Sequence, residues 1–175
     1  MKNSILRLTL TLFLITAVVA AALAGINAIT APKIAALKAQ KTADAIATVL
    51  PGESKELESF TDETGLVQKI WQSENGYAVQ VAPSGFGGQV VIMVGVDNDG
   101  KVLGLDVISH AETAGLGDTA AANNAKGNTF RAQFSETAAP FTVGENIEAI
   151  TSATITSKAV TSGVNAAVEC IKNMG

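Results

Sequence analysis

The sequence predicts an α+β chain in which a single N-terminal transmembrane helix precedes one domain with a mainly antiparallel sheet and flanking helices. Three observations predict it. An uncharged apolar run extends from Leu8 to Ile29. Short β-prone segments separated by turn residues follow between Leu66 and Ile108. A stretch with helical apolar periodicity closes the chain, from Ile155 to Met174.

The apolar run is the first element. At ~1.5 Å rise per residue its length is roughly 33 Å, against a bilayer core of ~30 Å. Lys2, Arg7 and the small residues Ala22-Leu23-Ala24 also suit a cleaved signal peptide. A signal h-region is usually ~7–15 residues, however, and this run continues past Gly25 through Ile26 and Ile29. Its length favours an uncleaved anchor over residues 1–30. Lysines at positions 33, 38 and 41 balance Lys2 and Arg7, so the positive-inside rule does not orient it. Small residues such as Ala20–Ala22, Ala24 and Gly25 suit close approach to other membrane helices.

Residues 31–52 read as a membrane-proximal helix from Pro32 to Leu50, stopped by Pro51-Gly52. Residues 53–175 then form one domain. Lys55–Thr64 is polar loop with a strand edge, and strands are expected at Leu66–Trp71, Tyr77–Ala82, Gln89–Val96 and Val102–Ile108. Asp97-Asn-Asp-Gly100 is a hairpin turn between the last two. Gly85-Phe-Gly-Gly88 lacks the Gly-Lys-Ser/Thr ending of a phosphate-binding P-loop and reads as a turn. Two glycines flanking Leu116 imply unusual dihedrals or close approach of another group. A helix is expected over Asp118–Ala125, and Phe130–Phe141 should pack against the sheet or a ligand. In the last helix Ile155, Ala159, Val160, Val164, Ala167, Val168 and Ile171 fall near one face.

Composition narrows the chemistry. A net charge of −4 with few aromatics argues against nucleic acid as partner. Cys170 and His110 are the only residues of their kinds, so no internal disulfide, iron–sulfur cluster or Cys-rich zinc site can form. Redox work would fall to an organic cofactor. Cys170, on an apolar helical stripe, reads as core filler. A Ser-x-x-Lys nucleophile fails, because Ile155 stands three residues before Lys158. A triad could use only His110. No catalytic or metal-ligating residue is assigned.

The densest signal is Glu148-Ala-Ile-Thr151-Ser152-Ala153-Thr154-Ile-Thr156-Ser157-Lys158, where a short apolar strand gives way to hydroxyls and a helix. Helix N-termini favour anions, because their first N–H groups are unpaired and the dipole is positive there. Thr154 is expected at the N-cap, with Thr151, Ser152, Thr156 and Ser157 as further donors and Lys158 one turn in.

This run resembles the flavin-attachment motif of the FMN-binding domain found in the G subunit of Rnf/Rsx-type electron-transport complexes and in the C subunit of the sodium-pumping NADH:quinone reductase. Carried across, Thr154 takes FMN as a phosphoester, Ala153 precedes it, Ser152 holds the small position and Glu148 the acidic one. The family often has Gly and Asp at those last two positions. Ser109-His110-Ala-Glu112-Thr113-Ala-Gly115-Leu116-Gly117-Asp118 is similar to a second run of the Rnf G subunits, often with Pro where this chain has Ala114. The resemblance covers essentially the whole chain.

It implies covalent FMN as cofactor, with Glu112, Thr113, Gly115, Leu116 and Gly117 beside the ring. It implies a single-pass protein of a bacterial or archaeal cell membrane, with a cytoplasmic N-terminus and the domain on the outer face. The chain would be a redox subunit of a multi-subunit oxidoreductase without substrate turnover of its own. It would relay electrons between ferredoxin and NAD while ions move. Its partners would be membrane, flavin and iron–sulfur subunits, and a flavin transferase for maturation. The quinone-reductase C subunit looks longer, with Gly in its motif, and is the alternative. A membrane-tethered binding module without covalent flavin is the other.

Overall fold

The computed structural model describes residues 2–122 and 124–174, with side chains from Ile5 onward. Expectations that rest on the Lys2 side chain or on Asn123 lie outside the described residues. The first helix, α1, runs over Lys2–Val49. The helix expected to start at Pro32 is therefore continuous with the apolar one. Pro32 supplies no N–H to the Ala28 carbonyl, and alanine-rich sequence on either side carries the helix across that gap. Among the described residues α1 is the one helix long and apolar enough to cross a membrane. Its large apolar side chains from Ile5 to Leu37 are exposed along the chain. The chain divides into two compact units, up to Gln40 and from Lys41.

The second unit is built on a five-stranded antiparallel meander. Its strands are β1 (Lys55–Glu56), β2 (Val67–Ser73), β3 (Gly76–Val81), β4 (Val90–Val96) and β5 (Val102–His110), and they pair in sequence order. Local chemistry makes each turn. The Asp97 carboxylate accepts the N–H groups of Asp99 (2.9 Å) and Lys101 (2.7 Å), and Gly100 takes φ +80°. The β3–β4 connection closes where Gly85 N–H donates to the Gly88 carbonyl at 2.7 Å.

Successive residues of a strand face opposite sides, and both sides of this sheet are covered. Val79, Val81, Ile92 and Val94 point into the larger cluster; Ala78, Met93 and Trp71 point into the smaller one. That is why β4 reads as an unbroken apolar run rather than an alternating one. The end of α1 and the residue after it close the smaller cluster with Ala45, Val49 and Leu50. It can approach because Gly95 has no side chain: a Cβ there would overlap the Val49 carbonyl and sit 3.0 Å from its Cβ.

Helices α2 (Asp118–Ala121), α3 (Ala125–Ala132) and α4 (Thr154–Met174) complete the unit. The single helix expected over Asp118–Ala125 is instead one turn, followed by a second helix. The Asn124 side chain accepts the Gly127 N–H at 2.8 Å and so caps α3 rather than continuing α2. Phe130, Phe134 and Phe141 pack edge to face in the larger cluster, with centroids 5.5 and 5.1 Å apart.

Helix α4 lies on β2, β3 and β4 and buries Ala159, Val160, Val164, Ala167, Val168 and Ile171 as its periodicity predicts. Ile155 departs from that face and is 54% exposed. In the first turn Thr156 and Ser157 take the inward positions instead. Cys170 is buried on α4, as expected of core filler, and its S–H donates to the Thr61 carbonyl at 3.3 Å.

Candidate functional site

The hydroxyl run splits into an outward and an inward set. Ile150 to Ala153 form a tight turn closed by Ala153 N–H donating to the Ile150 carbonyl at 2.9 Å. Its third residue, Ser152, takes φ +72°. A positive φ at that place is what a type II turn demands, and glycine meets it without strain. Ser157 N–H donates to the Ala153 carbonyl at 2.8 Å, the first bond of α4. Ala153 is thus the cap, and Thr154 is the first helical residue, one place later than the sequence suggested.

Thr151, Ser152 and Thr154 are exposed, with Ala153 buried between them. Thr156 and Ser157 are not available in the same way. Thr156 Oγ1 donates to Glu112 Oε2 at 2.8 Å in a buried contact, and Ser157 Oγ accepts the Ile150 N–H at 3.2 Å. Lys158 is exposed. Glu148 is exposed too, and its backbone is held at both ends by Gln133: its N–H donates to Oε1 at 2.8 Å and its carbonyl accepts from Nε2 at 3.1 Å.

The second run folds back onto this turn. Gly115, at φ +77°, donates its N–H to Asp118 Oδ1 at 2.7 Å, and Leu116 N–H donates to the Thr113 carbonyl at 3.1 Å. Thr113 and Gly115 lie exposed on the bend, and Leu116 is 47% exposed. Glu112 and Gly117 go inward. Glu112 is 9% exposed, with Oε2 on Thr156 and Oε1 accepting the Gly87 N–H at 3.2 Å. A Cβ on Gly117 would overlap Glu112 Oε2 and lie 2.7 Å from Thr156 Oγ1; one on Gly85 would overlap Oε1. The structure therefore joins Glu112, Gly117 and Thr156 of the expected residues, while Thr113 and Gly115 bond to Asp118 of α2 and not to α4 among the described residues.

Sequence reasoning misjudged two neighbours of this turn. The Gly85–Gly88 turn, read as a plain connection, supplies a donor to Glu112 and carries Phe86, 67% exposed. Ile155, assigned to the core, stands outward beside Thr154. A large apolar residue among three glycines was the signal for the first. Separately, a cleft of about 390 Å³ runs between α3 and the segment entering α4, lined by Lys126, Phe130, Glu148, Ile150 and Thr151 among others.

Residues 85–169 match the family model for the FMN-binding domain, and residues 1–49 match that for the RnfG N-terminal region. The G subunit of the Na(+)-translocating ferredoxin:NAD(+) oxidoreductase complex of Acetobacterium woodii is 34% identical over 97% of this chain and 93% of its own length. The chain belongs to the RnfG family. A second relative, the G subunit of the proton-translocating ferredoxin:NAD(+) oxidoreductase complex of Clostridium ljungdahlii, is also 34% identical, over 96% of this chain and 92% of its own. The G subunit of the ion-translocating oxidoreductase complex of Aliivibrio fischeri is 38% identical over 54% of this chain and 48% of its own. The exposed hydroxyl turn, the buried Glu112 contact and the Gly-rich turn all fall within the FMN-binding domain of this RnfG-family chain.

Proposed function

We propose that this chain is the membrane-anchored G subunit of an ion-translocating ferredoxin:NAD oxidoreductase complex, carrying electrons on an FMN joined to Thr154 through a phosphoester. The observation that supports Thr154 over Thr156 and Ser157 is the division of the hydroxyl run. Thr154 is exposed on the first helical turn, while Thr156 and Ser157 are committed to bonds within the protein. α1 is the anchor, its N-terminus cytoplasmic and the domain on the outer face. There a flavin transferase would load it and the membrane, flavin and iron–sulfur subunits would exchange electrons with it.

The residues fit the group. A phosphodiester on Thr154 Oγ carries one negative charge, and the first-turn N–H groups of α4 lack intrahelical acceptors. The helix dipole stabilises such a charge by ~0.3–1 kcal/mol. Thr151 and Ser152 add hydroxyl donors on the same turn, and Lys158 adds a cation on the next. Leu116, Phe86 and Ile155 offer apolar surface to a flat ring system, each next in sequence to a residue that packs against Glu112. Bound FMN supplies reversible electron uptake and release. The chain's residues hold and orient it.

Intact and peptide mass spectrometry, with in-gel flavin fluorescence after denaturation, tests this. Wild-type chain from its native host should carry an FMN-sized adduct on the Thr154 peptide. Thr154→Ala should lose it and remain folded, and Thr156→Ala should keep a measurable fraction. An unmodified wild-type chain from a host that has the transferase would leave the tethered binding module as the better account.

A further inference from the structure

We propose that Glu112 is a positioning residue that holds the acceptor turn in place through Thr156 and does not itself touch the flavin. The inference rests on Thr154 being the flavin acceptor. Three segments distant in sequence meet at this one carboxylate: the Gly85–Gly88 turn, the 112–117 bend and the first turn of α4. Each oxygen has its own protein donor, Gly87 N–H on Oε1 at 3.2 Å and Thr156 Oγ1 on Oε2 at 2.8 Å.

Burying a carboxylate is costly unless donors meet it, and bonds to a charged acceptor are the stronger kind. Removing one partner of such a set leaves the remainder unsatisfied, which is the expensive outcome. The surroundings are cut to this group. Side chains at Gly85 or Gly117 would occupy the space of its two oxygens. Thr156 is two residues beyond Thr154 in the same helical turn, so fixing Thr156 fixes the direction in which Thr154 presents its hydroxyl. Glu112 also places a negative charge at the N-terminal end of α4, where the dipole favours it.

The role predicts a pattern across variants of the full chain in detergent. Glu112→Ala should slow flavin incorporation at Thr154 by about tenfold or more, followed by mass spectrometry during co-production with the transferase. In the unloaded chain it should also speed amide exchange at Gly87 and in the first turn of α4, while β4 amides stay protected. Glu112→Gln should restore most of the loading, because its carbonyl can accept from Gly87 and its amide can donate to the Thr156 hydroxyl. Thr156→Val should match Glu112→Ala, and the double variant should be no worse than either, as for two members of one unit.

Wild-type loading in Glu112→Ala, additive losses in the double variant, or a shifted flavin spectrum in loaded Glu112→Gln would overturn the proposal. The last would mean that the carboxylate faces the ring. If Glu112→Ala does not fold, Glu112→Gln and Thr156→Val carry the test alone. If wild-type chain takes no flavin at all, the acceptor assignment has failed. The exchange rates at Gly87 and the first turn then still decide whether Glu112 is the clamp.

Discussion

Ser152, like Glu136, is a non-glycine residue held at positive φ. A non-glycine residue at positive φ costs roughly 1–2 kcal/mol relative to the right-handed region, and Ser152 sits at +72°. The turn needs that conformation to bring Thr154 onto the first helical position. Glycine there removes the steric cost while loosening the unfolded chain slightly. Ser152→Gly should therefore raise stability by about 1 kcal/mol, or about 4 °C in a thermal melt of a domain this size. An unchanged or lowered melting temperature would mean that the Ser152 hydroxyl holds the turn in another way. Thr154 as an exposed hydroxyl near a helix start was legible in the sequence. Its neighbours' commitments were not, because Thr156 meets Glu112 across 44 residues of chain and no local pattern encodes that distance.

Among the elements, α4 is tied at its far end to the β1–β2 connection by a polar contact, as well as to the sheet by apolar burial. The Cys170 S–H bond to Thr61 lies beside a turn organised by Asp62. The Asp62 carboxylate accepts from Thr64 Oγ1 (2.6 Å), Thr64 N–H (2.9 Å) and Val67 N–H (2.8 Å). Burial pushes the Asp62 carboxyl up, but these hydrogen bonds outweigh it and hold the group below the usual aspartate value. Burial, and then the charge of Asp62, push the Cys170 thiol up.

A depressed carboxylate pKa stabilises the fold fully above the unfolded value, near about 4, and loses that contribution as pH falls through the lower folded value. The stability difference between wild type and Asp62→Asn should thus be constant above about pH 5 and shrink as the pH drops toward 3. A difference that does not change over that window would remove Asp62 from the acid response. Period-two and helical patterns gave β2 to β5 and the body of α4 to within a residue or two. They misplaced Ile155, because a rule that counts apolar residues cannot foresee Thr156 and Ser157 turning inward to satisfy buried partners.

At the scale of the whole molecule, the unit from Lys41 onward contains both apolar clusters and the hydroxyl turn. A chain beginning at Lys41 should accordingly be soluble without detergent and melt cooperatively. Circular dichroism and calorimetry would check this, and aggregation or a broad transition would count against it. The continuity of α1 through Pro32 was not legible, because proline usually marks a helix start or break, and only the helix-forming sequence on both sides overrides it. The antiparallel sheet and the hairpin joining its last two strands were legible; the full meander order was not stated by any local turn signal.

The order of the elements along the chain has a consequence for timing. Glu112, the Gly85–Gly88 turn that bonds it and the strands all precede the first turn of α4 in sequence, so during synthesis that turn emerges after the carboxylate it bonds. Until α4 docks, Thr154 is one hydroxyl among many in an unfolded segment. If Thr154 takes the flavin as proposed, loading that depends on the docked turn acts as a quality checkpoint, marking chains that have finished folding and leaving immature ones colourless.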